Sequence, residues 1–239
     1  MTADVPEVAA VDHEHPDVTG GWLRPAVFGA MDGLVSNVAL IAGVAGGTRG
    51  DSTAVVIAGL AGLTAGAFSM AAGEYTSVAS QSEAAAREIE KERREIIRNP
   101  EGETRELGEM YVDMGIDEDL AHEVARQVHR DLDNAVNVHV REELGVHPDE
   151  LASPRIAAGS SFVAFAIGAF VPVLPYLLGA SNLLPALAVT LLALFACGAV
   201  VTQMTNRSWW YGGLRQMMLG GLAAGLTYAV GLAVGAQLS

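Results

Sequence analysis

The chain has 239 residues, of which 51 % are hydrophobic and only 18 % are charged. It carries 28 acidic and 14 basic side chains, so its formal net charge is −14. A nucleic-acid-binding protein needs the opposite balance, and a chain this apolar is not intrinsically disordered. The single cysteine, Cys197, excludes a disulfide framework and a paired-cysteine metal site.

The charges are unevenly distributed along the chain. Residues 156–206 and 216–239 contain no charged side chain, and the apolar stretches 25–48 and 52–82 contain one each, Asp32 and Glu74. In contrast, residues 80–155 hold 20 of the acids and 10 of the bases. The pattern predicts an integral membrane protein with one hydrophilic domain inserted into it.

Five stretches are apolar and long enough to cross a bilayer core of ~30 Å, which takes ~20 helical residues. We predict spans at 25–46, 53–78, 156–178, 183–204 and 213–236. The fold class is therefore all-α, a five-span transmembrane bundle with a three-helix hydrophilic domain between spans two and three. The predicted domains are a disordered acidic tail (1–23), spans one and two (24–79), the hydrophilic domain (80–155) and spans three to five (156–239).

Basic residues predict the orientation. If the N-terminus is cytoplasmic, 13 of the 14 bases lie inside and only Arg49 lies outside, as the positive-inside rule requires. Domain 80–155 would then be cytoplasmic and the C-terminus would lie on the far side. Arginine outnumbers lysine 13 to 1 and no organellar targeting segment is evident, so we expect a bacterial inner membrane.

Two sequence features predict local structure within the spans. Glycines recur at the spacing of closely packed helices, in the pairs 29/33, 43/47, 62/66, 221/225 and 231/235. Pro172 and Pro175 should kink or end the third span, which leaves backbone carbonyls there in need of partners.

The second span continues into the hydrophilic domain, because no proline interrupts residues 53–99. A helix of this length is ~70 Å long and extends ~40 Å past the bilayer core. When the side chains are projected down the helix axis at 100° per residue, one face ~60° wide carries a series of polar and thioether groups. We call this face the acidic stripe; its members are Met70, Glu74, Ser77, Gln81, Glu88, Glu92 and Glu95.

Two further helices should follow the turn at 99–102. The first carries Glu103 and Glu106 and ends near Gly115; the second is capped by Asp117 and runs to Leu144. The end of the second helix carries His139, Glu142 and Glu143. Short turns would bring these acids towards the acidic stripe, where carboxylates repel one another unless cations bind, so we predict a divalent metal site.

Asp32 and Glu74 are the ionisable residues deepest in the predicted spans, and buried intramembrane acids are candidate functional groups. Met70 lies one helical turn before Glu74 and adds a thioether, which suits a first-row transition ion better than Mg²⁺ or Ca²⁺. Carboxylates also titrate, so the same groups could exchange metal for protons.

Three sequence strings carry a family resemblance. RPAVFGAMDGLVS (24–36), GLTAGAFSMAAGEYTSVASQ (62–81) and EELG (142–145) resemble motifs of the vacuolar iron transporter family, and the resemblance extends over about 24–239. It implies a homodimer in the lipid bilayer that moves Fe²⁺, and often Mn²⁺ or related ions, out of the cytoplasm in exchange for protons. It also implies that Asp32 and Met70 line the pathway.

The resemblance implies a cytoplasmic ligand set of Glu92, Glu95, Glu103, Glu106 and Glu143. The acidic stripe adds Glu88, and the end of the last helix adds His139 and Glu142. Ser36 and Glu74 complete the predicted pathway with Asp32 and Met70. His139 stands where the family has a methionine, and because imidazole suits several metals, Co²⁺, Ni²⁺ and Zn²⁺ are candidate substrates besides Fe²⁺ and Mn²⁺.

The leading hypothesis is a transporter with no organic cofactor and no enzymatic activity. A membrane-anchored metal sensor or buffer is the main alternative, although it would not need Asp32 and Glu74 in the spans. A membrane-embedded hydrolase would need a catalytic cluster there, and no histidine lies in any predicted span. An iron store or ferroxidase would need Glu-x-x-His pairs, which 80–155 lacks.

Overall fold

The computed structural model describes residues 21–148, 151–202 and 207–238, and all regular secondary structure in these ranges is helical. The helices are α1 (Leu23–Gly47), α2 (Ser52–Arg98), α3 (Pro100–Asp113), α4 (Glu118–Val128), α5 (Leu132–Leu144), α6 (Pro154–Phe170), α7 (Leu174–Leu177), α8 (Leu183–Thr202) and α9 (Trp209–Leu238). Within these ranges, α1, α2, α8 and α9 are long and apolar enough to cross a membrane, and α6 is a shorter apolar helix. The predicted tail, 1–23, lies almost wholly outside the described residues.

Helix α2 runs without interruption for 47 residues, which confirms the predicted continuous helix. A tight turn precedes it, in which Arg49 and Gly50 have φ of 55° and 85°. The Asp51 side chain then accepts hydrogen bonds from the backbone N–H groups of residues 53 and 54, which caps the free N-terminal donors. The helix ends before Pro100, whose ring is incompatible with a helix interior.

Helix α1 lies at the centre of the apolar bundle and contacts α2, α6, α8 and α9. Its glycines allow close backbone approach: a Cβ at Gly33 would collide with the α6 backbone at Phe165, and one at Gly231 of α9 would collide with Gly43. The predicted close packing is thus confirmed for the pairs 29/33, 43/47 and 231/235. A Cβ added at Gly225 would meet no atom of another described helix within 4 Å, so close packing there is not seen among the described residues.

The third predicted span, 156–178, is a broken helix, as the prolines indicated. Helix α6 stops at Phe170, and the N–H of Val173 bonds to the Phe170 carbonyl instead of reaching back to Ala169. The buried Asn37 of α1 satisfies the freed Ala169 carbonyl through its Nδ2 atom at 2.6 Å. The same amide donates to the Gly59 carbonyl of α2 at 3.1 Å, so one side chain joins three helices.

The hydrophilic part differs from the prediction in one respect. The helix predicted after the turn at 99–102 is α3, and Gly115, with φ of 95°, follows its end as expected. The third predicted helix, 117–144, is wrong as a single element, because it is divided into α4 and α5 by a turn at 129–131. Asp117 caps α4, and Asp131 caps α5 through a 2.8 Å hydrogen bond from the N–H of Asn134, which starts a new helix.

We expect the Asn37→Leu substitution to destabilise the apolar bundle. Leucine has a similar size but no donor, so the carbonyls of Gly59 and Ala169 lose their side-chain partner away from water. The expected loss is about 1–3 kcal/mol, measured as thermal or denaturant unfolding in detergent micelles.

Thr64→Val is the matched control, because the Thr64 hydroxyl donates to the Leu60 carbonyl of its own helix on an exposed face. Equal stabilities of Asn37→Leu, Thr64→Val and the unsubstituted protein would contradict the bridging role of Asn37.

Candidate functional site

The four predicted pathway residues lie around one cavity between α1 and α2. Asp32 and Ser36 come from α1, and Met70 and Glu74 come from α2. The cavity has a volume of about 310 Å³, and Phe165 of α6 forms part of its wall. We call it the α1–α2 cavity. Its carboxylates, hydroxyl and thioether are ligands that a divalent transition ion accepts.

The α1–α2 cavity is open on one side of the chain. Asp32, Ser36 and Ser69 are exposed, whereas Met70 and Glu74 are partly buried. Polar groups that face lipid are costly, so this side needs a covering surface in a membrane.

The acidic stripe continues along α2 from the cavity. Gln81 Nε2 donates to Ser77 Oγ at 3.2 Å, so these two side chains share one face as predicted. At ~1.5 Å per residue, Glu92 lies ~27 Å along the helix axis from Glu74.

A second group of ligands forms where α2, α3 and α5 meet. One ligand atom from each of Glu92, Glu103 and His139 lies within 4.8 Å of the others. Glu143 joins them, because its Oε1 atom lies 2.9 Å from His139 Nδ1. We call these four residues the carboxylate–histidine cluster. It draws one carboxylate each from α2 and α3, and an imidazole and a carboxylate one turn apart on α5.

Burial gives this cluster unusual electrostatics. Loss of hydration, reinforced by the neighbouring Glu143, raises the pKa of Glu92 to about 7. The pKa of Glu103 is also raised, first by burial and then by Glu106. The His139 ring is completely buried. Several acids thus share a site that cannot hold all of their negative charges without a cation.

One buried oxygen indicates where that cation would bind. Glu92 Oε1 lies 3.2 Å from His139 Nδ1 but has no hydrogen-bond partner with acceptable geometry among the described residues. A buried carboxylate oxygen without a partner is costly. Together with the surrounding carboxylates and imidazole, it fits a divalent ion with mixed oxygen and nitrogen ligands.

The remaining predicted ligands lie at or outside the edge of the cluster. Glu95 and Glu106 are close enough to raise the pKa values of Glu92 and Glu103, respectively. Glu88 is half-exposed and lies 3.7 Å from Lys91 in an ion pair. Glu142 is exposed, and its charge adds to the effect of burial in raising the pKa of Tyr111. Among the described residues, the ligand atoms that lie within 4.8 Å of one another come from Glu92, Glu103 and His139, and not from Glu88 or Glu142.

The sequence prediction missed His129. Its Nε2 atom lies 3.2 Å from Nε2 of His139, and the two rings pack edge to face. On one continuous helix, residues ten apart would be separated by ~15 Å. The turn between α4 and α5 makes the contact. Burial lowers the pKa of His129, which leaves this ring neutral near pH 7.

The raised pKa of Glu92 predicts pH-dependent metal binding. Because the carboxyl must lose its proton to bind a cation, affinity for Zn²⁺ should rise about tenfold per pH unit up to about pH 7 and then flatten. Calorimetry on the full chain in micelles at several pH values measures this. Glu92→Gln should both weaken binding and reduce the slope.

Glu90→Gln is the matched control, since Glu90 is exposed and pairs with Arg94 on the same helix.

In the metal-free protein, the stability of the fold changes with pH in the opposite direction to the metal affinity. The folded chain favours protonated Glu92, so its stability should fall as pH rises from 4.5 through about 7. If Glu92→Gln leaves the pH dependence of Zn²⁺ affinity and of stability unchanged, Glu92 is not the titrating group.

Comparison with known proteins identifies the family of this chain. The sequence profile of the VIT family matches residues 23–232. The chain is 38 % identical over 234 residues to "Vacuolar iron transporter" of Acanthamoeba castellanii, covering 95 % of this chain and 84 % of that protein. It is 31 % identical to "Vacuolar iron transporter 1" of Oryza sativa subsp. japonica, covering 93 % and 90 %. The chain belongs to the VIT family of membrane transporters.

Proposed function

We propose that this protein carries divalent transition metals, Fe²⁺ foremost, out of the cytoplasm in exchange for protons. The α1–α2 cavity carries the proposal. It brings Asp32, Ser36, Met70 and Glu74 together between two apolar helices. A carboxylate in a membrane span is energetically costly and therefore indicates a functional site. Removal of Fe²⁺ to limit its toxicity or to store it is the proposed role, and Mn²⁺, Co²⁺, Ni²⁺ and Zn²⁺ are candidate substrates for the same ligands.

The two sites divide the task between collection and passage. The carboxylate–histidine cluster concentrates metal at the cytoplasmic end of α2, and the α1–α2 cavity passes it through the membrane. Helix α2 connects them, and its Ser77 and Gln81 present polar groups on the face between. Glu95 and Glu106 add negative potential beside the cluster, which favours approach of a cation.

We propose five spans, with α6 and α7 together forming the third. Helix α6 alone covers ~26 Å, and the short α7 extends the segment towards the ~30 Å of a bilayer core. Contacts of α6 with both α1 and α2 support this, because they place it beside two of the span-length helices. Asn37 completes the broken segment by satisfying its free carbonyl.

We propose a homodimer because the polar side of the α1–α2 cavity needs a covering surface within the membrane. The open side of the α1–α2 cavity exposes Asp32, Ser36 and Ser69, which lipid cannot solvate. A second copy that applies the same surface would cover both cavities at once and satisfy two-fold symmetry.

The charge distribution supports the proposed orientation, with the N-terminus and the 80–155 domain cytoplasmic and the C-terminus on the far side. The similar proteins from amoeba and plants are named for the vacuole. For this chain we propose a bacterial inner membrane. In either membrane, metal would leave the cytoplasm.

Transport requires the α1–α2 cavity, so Asp32→Ala and Met70→Ala should reduce Fe²⁺ flux to the leak rate of protein-free liposomes. Flux is measured with the purified protein and an imposed pH gradient. Met218→Ala is the matched control, because Met218 is 70 % exposed on α9, outside the cavity. It should keep full flux.

Flux at the normal rate in Asp32→Ala would refute this pathway. If the unsubstituted protein binds metal but no condition gives flux, a membrane-anchored sensor or buffer is the better description.

Proton coupling is assigned to Glu74, because it is the titratable group on α2 beside Met70. Glu74→Gln preserves size and hydrogen bonding but cannot exchange a proton for a metal ion. It should abolish flux driven by a pH gradient, while Zn²⁺ binding to the carboxylate–histidine cluster stays intact.

Glu83→Gln is its control, because Glu83 is an exposed carboxylate on α2 that pairs with Arg87 outside the cavity. If Glu74→Gln shows the same pH-driven flux as Glu83→Gln, Glu74 is not the proton-coupling group, and Asp32 is the remaining candidate.

A further inference from the structure

The buried ring of His139 has a partner on each of its two nitrogens. On one side, Nδ1 lies 2.9 Å from Glu143 Oε1 and 3.2 Å from Glu92 Oε1. On the other side, Nε2 lies 3.2 Å from Nε2 of His129. Which nitrogen carries the hydrogen therefore decides whether His139 presents a donor or a lone pair to the carboxylates.

The position of the hydrogen follows from His129. Nδ1 of His129 lies 2.9 Å from the carbonyl oxygen of Ala125, which can only accept, so Nδ1 carries a hydrogen. In the neutral ring, Nε2 of His129 then bears a lone pair. The facing Nε2 of His139 must be the donor of the 3.2 Å contact. In a neutral His139 this leaves the lone pair on Nδ1.

When His139 is neutral, the lone pair on Nδ1 points at carboxylate oxygens, and these groups repel each other unless a proton or a metal ion lies between them. Glu92 Oε1 is buried, lies 3.2 Å from the same nitrogen, and has no hydrogen-bond partner in the part of the chain that the structure describes. Glu103 contributes a third ligand atom within 4.8 Å. The arrangement matches a metal-binding imidazole, whose second ring nitrogen usually donates to a fixed acceptor.

We propose that His129 is a positioning residue that makes His139 a metal ligand through Nδ1. Its Nε2 lone pair holds the hydrogen of His139 on Nε2, and its edge-to-face packing, with ring centroids 5.1 Å apart, fixes the ring direction. The inference rests on the proposed function only in that the carboxylate–histidine cluster binds the transported metal. One hydrogen bond joins the Ala125 carbonyl to His129 and a second joins His129 to His139, whose Nδ1 would then bind the metal.

The opposite arrangement is less consistent with the geometry. If His139 carried its hydrogen on Nδ1, it would donate to Glu143, but two Nε2 lone pairs would then face each other at 3.2 Å in a buried site. That arrangement would also leave no imidazole ligand for the position beside Glu92.

Two variants of His129 separate positioning from packing. His129→Leu removes the acceptor, and His129→Gln retains one in its amide oxygen. With Zn²⁺ alone as the probe and the full chain in micelles, His129→Leu should bind about 10–100-fold more weakly, the usual cost of losing a ligand's supporting hydrogen bond. His129→Gln should lose clearly less.

His122→Leu is the matched control, because His122 lies on α4, which ends immediately before His129, and lines the same cleft as His129. It should bind Zn²⁺ as the unsubstituted protein does. Circular dichroism of each variant verifies the helical content.

The decisive readout is the ring state of His139, measured by NMR on protein with ¹⁵N-labelled histidine and assigned with His139→Gln. The unsubstituted Zn²⁺-bound protein should show a metal-bound Nδ1 and a protonated Nε2. In His129→Leu this signal should be weakened or shared between two tautomers.

Three outcomes would overturn the proposal: Zn²⁺ bound through Nε2 of His139, normal affinity in His129→Leu, or equal losses in the Leu and Gln variants with an unchanged His139 ring state. Because these measurements involve no flux, a failure of the proposed transport function would be seen separately, as tight Zn²⁺ binding without movement of metal across liposomes.

Discussion

The cost of removing a carboxylate from water governs this structure. Asp32 and Glu74 are placed between apolar helices, and where three helices meet Glu92 is buried and Glu103 partly buried. Each must be neutralised by a proton, a metal ion or a hydrogen-bond donor. For Glu92 the balance is close, because burial raises its pKa to about 7, so protons and metal ions compete for it under cellular conditions. A site that binds cations reversibly needs such a balance.

Much of the fold follows directly from local sequence rules. The absence of proline over residues 53–99 predicts the long α2, and Asp51, Asp117 and Gly115 act at helix ends as their types suggest. The α1–α2 cavity was also predictable, because Met70 and Glu74 are one turn apart and the first span offers a single acid. These features depend on neighbours in sequence or on helical periodicity, which a single chain reveals.

The features that sequence could not provide depend on contacts between distant residues. Asn37 had no special pattern, yet its amide bonds to carbonyls of α2 and α6. The turn at 129–131 lacks glycine and proline, so the division of the last helix and the His129–His139 contact were both missed. Helical periodicity placed Glu88 on the face of Glu92, and the structure adds its ion pair with Lys91, which projection alone cannot reveal.

The unbroken α2 also has a mechanical consequence. A rigid rod that holds Met70 and Glu74 of the cavity and Glu92 of the cluster acts as a lever with its pivot in the bilayer. If α2 tilts by ~5° about the level of Glu74, Glu92 is displaced by ~2 Å over the ~27 Å that separates them, which is about the length of one metal–ligand bond. A small movement among the apolar helices would therefore be large enough to open or close the coordination shell of the carboxylate–histidine cluster.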